Sequence, residues 1–146
     1  GSMDHTLRLW EAATGTAVAV LRGHTDILLD CAFSPNGRTL VSASRDATLR
    51  VWDPAGHTAL GTLRGHSLDV TGCGFCPDGA STVLSGSYDG TVRLWDLSTG
   101  RGEVLFPALG NIQCLAISPD GTRICFGDWG GNAYLLEVEG ALHPSS

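Results

Sequence analysis

Residues 65–96 read GHSLDVTGCGFCPDGASTVLSGSYDGTVRLWD, and this stretch decides the fold. It opens on Gly-His and closes on Trp-Asp. Between these marks lie an alternating apolar segment, a Pro-Asp-Gly turn, a second apolar segment ending in small residues, and an Asp-Gly turn. In the third segment Val92 and Leu94 alternate with Thr91, Arg93 and Trp95. The pattern predicts three short strands and two tight turns. Proline at 77 sets φ and glycine at 79 admits positive φ, while Asp89-Gly90 is a strong hairpin signal. The same layout stands upstream over residues 23–53 and, worn, downstream over residues 107–137.

The copies are evenly spaced. Trp10 to Trp52 is 42 residues, Trp52 to Trp95 is 43, and Trp95 to Leu136, the worn counterpart, is 41. His24 to His66, Pro35 to Pro77 and Pro77 to Pro119 are 42 each. A period of about 40–45 residues with Gly-His and Trp-Asp marks is the signature of a propeller blade. On these marks, covering nearly all of residues 4–137, the chain resembles a run of WD40 repeats. The resemblance implies an all-β fold of four-stranded antiparallel blades.

Residues 4–10 and 17–21 match the third and fourth strands of a blade whose first two are absent. Residues 28–33, 39–44, 48–52 and 60–63 make one complete blade, and 70–75, 82–87, 91–95 and 103–106 a second. Residues 112–117, 123–127 and 132–136 make three strands of a third. The organisation expected is a cloning remnant at 1–3, a partial blade at 4–22, complete blades at 23–64 and 65–106, a degenerate blade lacking its own fourth strand at 107–137, and a tail at 138–146. Propellers typically close with about 4–8 blades, and repeats cannot bury their apolar faces alone. A partial propeller of this size belongs to a larger ring or closes by oligomerisation. Residues 17–21 of one copy completing the third blade of another would give a dimer or trimer.

Composition narrows the partners. Hydrophobic residues are 42% and charged residues 16%, which suits a packed chain. A net charge of −6 offers no basic field for phosphate backbones, so nucleic acid is not expected. No apolar run approaches the roughly 18 residues of a membrane span, no signal peptide is read, and no membrane partner is expected. Five cysteines, an odd number, read as free thiols of the cytoplasm or nucleus. Cys31 and Cys73, each two before a phenylalanine, read as small buried core residues. Cys73-x-x-Cys76 lacks the second pair that a zinc site needs, so no metal and no cofactor are expected.

His24, Ser42, Asp46 and Trp52 recur as His66, Ser85, Asp89 and Trp95. A catalytic triad has no reason to be duplicated in each repeat. The resemblance implies instead a chain in which Asp accepts from His, His contacts Ser, and Ser reaches the indole N–H. The first repeat keeps only Asp4 and Trp10. In the third, Ala108, Phe126, Gly130 and Leu136 replace all four, so its stability is expected from apolar packing alone and it is expected to be the softest blade. Arg8, Arg50 and Arg93, two before each tryptophan, read as solvated positions partly neutralised by Glu11, Asp53 and Asp96. His5, His57 and His143 have no ligand spacing.

Members of the family mostly act as rigid platforms that bind peptides or domains on the top face. Its usual contact positions, carried over, are Arg45, Tyr88 and Trp129 just before each turn Asp, and Ile27, Leu29, Asp69, Thr71, Asn111 and Gln113 near the first strands. Tyr, Trp and Arg are the types enriched at binding hot spots. The function expected is a non-enzymatic protein–protein interaction platform from a larger regulatory or scaffolding protein. The alternative is an assembly module that joins sibling repeats or copies.

Overall fold

The computed structural model describes residues 2–77, 81–107 and 110–138. Gly1, the turn beyond Pro77, Ala108 and the tail from 139 lie outside the described residues. Among the described residues the chain is all strand and turn. The strands β1 (Thr6–Trp10) and β2 (Ala17–Arg22) form a two-stranded sheet. Next, β3 (Leu28–Phe33), β4 (Leu40–Ser44), β5 (Thr48–Asp53) and β6 (Thr58–Arg64) form a four-stranded one. A second follows in β7 (Val70–Phe75), β8 (Thr82–Ser87), β9 (Thr91–Asp96) and β10 (Gly102–Pro107). Finally β11 (Ile112–Ile117), β12 (Arg123–Asp128) and β13 (Ala133–Glu137) make a three-stranded sheet. Every neighbouring pair is antiparallel. The outer strand β6 begins two residues earlier than its sequence suggests, because Thr58 pairs with Asp53 beyond a bulge at Val51/Trp52.

The cores lie between sheets. Leu7 and Leu21 of the first sheet meet Leu28, Leu40 and Trp52 of the second. Val41, Ala43 and Leu49 meet Val70, Phe75 and Trp95, and Leu84 and Leu94 meet Ile112, Ile124 and Phe126. With a sheet packed on each face, β4 and β8 are buried at every position, whereas β12 of the last sheet alternates between buried and exposed. The outer β6 buries only Leu63. Packing between the last two sheets sets bulk against absence of bulk. A Cβ on Gly86 would stand 2.7 Å from Ile112 Cγ2, and one on Gly74 3.1 Å from Ile117 Cδ1. Glycine lets the third blade close onto the second.

Three expectations change. Cys73 is buried but Cys31 is exposed, and Phe33 is 56% exposed where its counterpart Phe75 is 8%. Cys73 and Phe75 pack against a four-stranded sheet, whereas the described sheet ahead of Cys31 and Phe33 has two strands, β1 and β2. Ser2, set aside with residues 1–3, makes two backbone hydrogen bonds with Leu28, at 3.0 and 3.1 Å. Ser2-Met3-Asp4 is also in register with Ser44-Arg45-Asp46. Arg50 and Arg93 are half-buried rather than solvated. Their guanidinium carbons lie 5.9 and 5.8 Å from the ring centroids of Trp52 and Trp95. The acids expected to neutralise them turn away: Asp53 accepts the Ala55 amide at 2.9 Å and Asp96 that of Ser98 at 2.8 Å. Arg8 instead pairs with Asp4 at 2.8 Å.

The turn after each capping Asp takes a left-handed residue. Gly90 sits there at φ 78°, but His5 and Ala47 occupy the equivalent positions at φ 61° and 63°. An L-residue in this region costs about 1–2 kcal/mol, and glycine loses about 0.5–1 in entropy. Ala47→Gly is therefore expected to stabilise the chain by about 0.5–1 kcal/mol, read as a raised urea midpoint at unchanged slope.

Candidate top-face interaction site

The site is built by two local irregularities that recur in every blade. Each first strand has a break in register at its second residue, between Leu28/Asp30, Val70/Gly72 and Ile112/Cys114. The residues left out of the ladder are Leu29, Thr71 and Gln113. Bulges re-aim side chains in this way. The second irregularity is the β4–β5, β8–β9 or β12–β13 turn. Its first residue donates its amide to the loop before the first strand: Arg45 to Ile27 at 3.0 Å, Tyr88 to Asp69 at 2.9 Å, Trp129 to Asn111 at 2.9 Å. One backbone bond thus brings the two groups of expected contact residues together three times over.

Side chains then link one blade to the next. Arg45 Nε lies 3.5 Å from Asp69 Oδ2 of the following blade. Tyr88 donates its hydroxyl to Gln113 Oε1 at 3.3 Å, and its ring meets Trp129 edge to face, centroids 6.5 Å apart. Trp129 is 74% exposed. Thr71 is drawn into the frame, its hydroxyl donating to Ile112 O at 2.8 Å with Gly86 O as the alternative acceptor at 3.1 Å. Asp30, unremarked in the sequence, ties the inner strands by accepting the Cys73 amide at 2.9 Å. Ile27 and Leu29 are half-buried and Asn111 is exposed.

Beneath the surface lie the two four-residue chains. His24 Nδ1 is 2.7 Å from Asp46 Oδ2, His24 Nε2 is 2.8 Å from Ser42 Oγ, and Trp52 Nε1 donates to that oxygen at 2.9 Å. In the next blade the corresponding distances among His66, Asp89, Ser85 and Trp95 are 2.8, 2.7 and 2.8 Å. A neutral imidazole donating to Asp and accepting from Ser satisfies every polar atom in the chain. Ser42 and Ser85 are wholly buried and already hydrogen-bonded twice, so neither hydroxyl is open to a substrate. Among the described residues, no three of His, Cys, Asp and Glu gather closely enough to hold a metal ion.

The third blade departs from its expectation. Phe126 packs with Tyr134 at 4.9 Å and Phe106 at 5.5 Å, but apolar contact is not all. Asp128, buried, accepts the Asn132 amide at 2.9 Å and the Tyr134 hydroxyl at 3.0 Å. It stands two residues before Gly130, at the position of Ser44 and Ser87. An acid there, with Asn132 and Tyr134 replacing Thr and Arg, was the legible signal.

Stacked four-stranded antiparallel sheets with their cores between sheets and an inter-strand polar chain define β-propeller blades. Residues 15–53 and 57–96, together more than half of the chain, match the family model "WD domain, G-beta repeat", and the chain belongs to the WD40 family. It is 30% identical over 141 residues to autophagy-related protein 16 of Arabidopsis thaliana, covering 95% of this chain and 27% of that protein. It is 46% identical over 122 residues to ribosome assembly protein 4 of Chaetomium thermophilum, covering 79% of this chain and 24% of that one. A 42-residue match, one repeat long, is 43% identical to nuclear distribution protein PAC1 of Mycosarcoma maydis and covers 29% of this chain and 9% of that one. The chain thus spans about a quarter or less of these relatives. WD40 repeats serve in general as protein-interaction scaffolds.

Trp52→Ala or Trp95→Ala is expected to cost about 3–5 kcal/mol, and Leu136→Ala about 2–4. Ser85→Ala, which strands two buried nitrogens, is expected to cost about 1–3; a denaturant series that ranks Leu136→Ala above both tryptophans would contradict this. Burial pushes His24 and His66 below their ordinary 6.5, against the neighbouring carboxylates. Burial pushes Asp46 and Asp89 up, but hydrogen bonds from the turn Thr and the His outweigh it and hold both below 3.8. Both effects favour the fold at high pH: on acidification the unfolded chain binds protons first. The urea midpoint should be flat between about pH 7 and 8, decline below about pH 6.5 and fall again below about pH 4. It should also fall above about pH 9, because burial pushes the Cys73 thiol up and the unfolded chain loses that proton first. A midpoint that rises on acidification would refute the assignment.

Proposed function

We propose that the chain is a non-enzymatic platform that binds a peptide or protein domain on the face carrying Arg45, Tyr88 and Trp129. The observation that carries this reading is the Tyr88–Trp129 pair. Two aromatic rings from adjacent blades meet at 6.5 Å, and one of them leaves its indole 74% exposed. Exposed tryptophan held beside tyrosine is the residue chemistry of a binding hot spot. Asp69, Gln113, Asn111, Ile27 and Leu29 belong to the same face, Thr71 is bonded into the frame beside them, and Arg45 with Asp69 supplies a charged flank. No cofactor, metal, nucleic acid or membrane enters the proposal. The net charge of −6 argues against a phosphate backbone, and among the described residues no helix is long and apolar enough to cross a membrane. The cytoplasm or nucleus is the proposed location, in line with free cysteines and with relatives named for autophagy, ribosome assembly and nuclear distribution.

Peptides selected from a displayed random library on the wild-type chain are expected to bind Tyr88→Ala and Trp129→Ala at least about tenfold more weakly. Arg45→Ala should change affinity less, since an exposed ion pair contributes about 0–1 kcal/mol. Equal binding of the selected peptides by wild type and both aromatic variants would end the proposal.

The exposed end faces favour a second reading, as an assembly module. Phe33 is 56% and Leu135 63% exposed, and Cys31, Cys114 and Cys125 lie open beside them. Apolar faces of this kind promote association, and the family supplies the occupant: another blade, from sibling repeats or from a second copy. If copies close the ring, light scattering will give a multiple of 15.2 kDa, and a folded species at 15.2 kDa excludes that closure.

A further inference from the structure

We propose that Asp128 is a positioning residue: with Asn132 and Tyr134 it takes over the work of the chain that the third blade has lost, and it holds the turn that presents Trp129. This rests on the reading of Trp129 as a contact residue and adds the group that keeps it in place. In the complete blades the turn is capped by Asp46 and Asp89, whose Oδ1 accepts the amide two residues on, from Thr48 at 3.0 Å and Thr91 at 2.9 Å. In the third blade that position is Gly130, which has no side chain to offer. The carboxylate has moved two residues upstream.

From there it serves the same amide. Asp128 Oδ1 accepts Asn132 N–H at 2.9 Å. A serine at this position reaches only two residues on, as Ser44 does with the Asp46 amide at 3.1 Å. The longer aspartate reaches four. Asn132 Nδ2 then donates to the two carboxylate oxygens at 3.2 and 3.0 Å, and Tyr134 to Oδ2 at 3.0 Å. Tyr134 stands in the place of Arg50 and Arg93, so three substitutions form one unit. Backbone bonds close the turn on either side, Asp128 N to Asn132 O at 3.0 Å and Gly131 N to Asp128 O at 3.2 Å. Trp129 lies inside that turn. Its amide donates to Asn111 O at 2.9 Å, and its ring meets Tyr88 edge to face while facing solvent. A turn already ordered presents its side chain without the cost of ordering that backbone on binding.

The test moves the cap back. In the full chain, Asp128→Ala is compared with the double variant Asp128→Ser/Gly130→Asp, which restores the order Ser-Trp-Asp. Gly130 is not in the left-handed region. A Cβ there would lie 3.1 Å from Asn132 Nδ2, the end of a side chain that must shift by a few tenths of an ångström, and 3.2 Å from Asp128 Oδ1, an atom the shorter serine removes. The readout is amide hydrogen exchange at Trp129 and Asn132, with the Trp52 and Trp95 indole resonances as fold controls. Asp128→Ala should accelerate exchange roughly tenfold, and the double variant should return it to within about twofold of wild type. Unchanged exchange in Asp128→Ala, or no recovery in the double variant with both control resonances in place, overturns the proposal. If Asp128→Ala unfolds the chain, the double variant decides alone: wild-type exchange supports the relocated cap and its absence overturns it. A library-selected peptide separates the two layers. Affinity unchanged by Trp129→Ala sinks the contact reading but not the cap. Affinity unchanged by Asp128→Ala despite faster exchange sinks the presenting role.

Discussion

A blade of this chain has no core of its own. Each sheet is one layer thick, and the residues buried to completion, Trp52, Leu49, Val70, Leu84 and Ile112, are covered by the neighbouring sheet. Burial is therefore a property of the stack, and everything else in the molecule serves the approach of one sheet to the next. Glycine at 74 and 86 removes side chains where the third blade's isoleucines arrive. Thr71 and Asp30 cross the gap with hydrogen bonds to the next blade at 2.8 and 2.9 Å. The same constraint explains the ends. Where the neighbouring strands are missing, residues of core type are left facing water, as Phe33 is.

Stacking alone does not set the angle at which loops meet, and the buried polar chains supply that. Each one runs from the indole on the third strand, through a serine on the second, to a histidine in the loop before the blade and an aspartate in the turn. Every link depends on the next for its partner, and a broken link strands a buried donor or acceptor. The arrangement therefore fixes two loops against one sheet. It also keeps the Asp carboxylates charged and the imidazoles neutral, which ties loop geometry to pH.

The sequence made the scaffold legible because the scaffold is what repeats. Spacing of Gly-His, Pro-x-Gly and Trp-Asp placed thirteen strands within a residue or two of where they lie. Features that depend on a neighbour were not legible. Cys31 and Cys73 hold equivalent repeat positions, two before a phenylalanine, yet one is exposed and the other buried because only one has a four-stranded sheet in front of it. The arginines two before each tryptophan alternate like solvent-facing residues, but the indole plane beneath them makes a stacking surface. The bulges that take Leu29, Thr71 and Gln113 out of the ladder leave no mark in composition, although the family resemblance names those three positions. Asp128 is hidden by the repeat pattern, which marks Gly130 as the lost position while the change that matters stands two residues before it.

The division between what repeats and what varies also locates information in this molecule. Positions bound by packing or by the polar chains cannot differ between blades without loss, so they say nothing about a partner. The residue before each capping position is held by a backbone bond common to the last three blades, and its side chain has no place in the buried core or the polar chains. There the chain places arginine, tyrosine and tryptophan in turn. The third blade carries the argument further. It has given up the histidine, serine and tryptophan partners that support the turn elsewhere, yet the turn and its backbone bond to Asn111 persist on a different carboxylate. A geometry that survives the loss of its usual supports, at the point where the most exposed aromatic ring of the face is mounted, is what a binding surface requires of its scaffold.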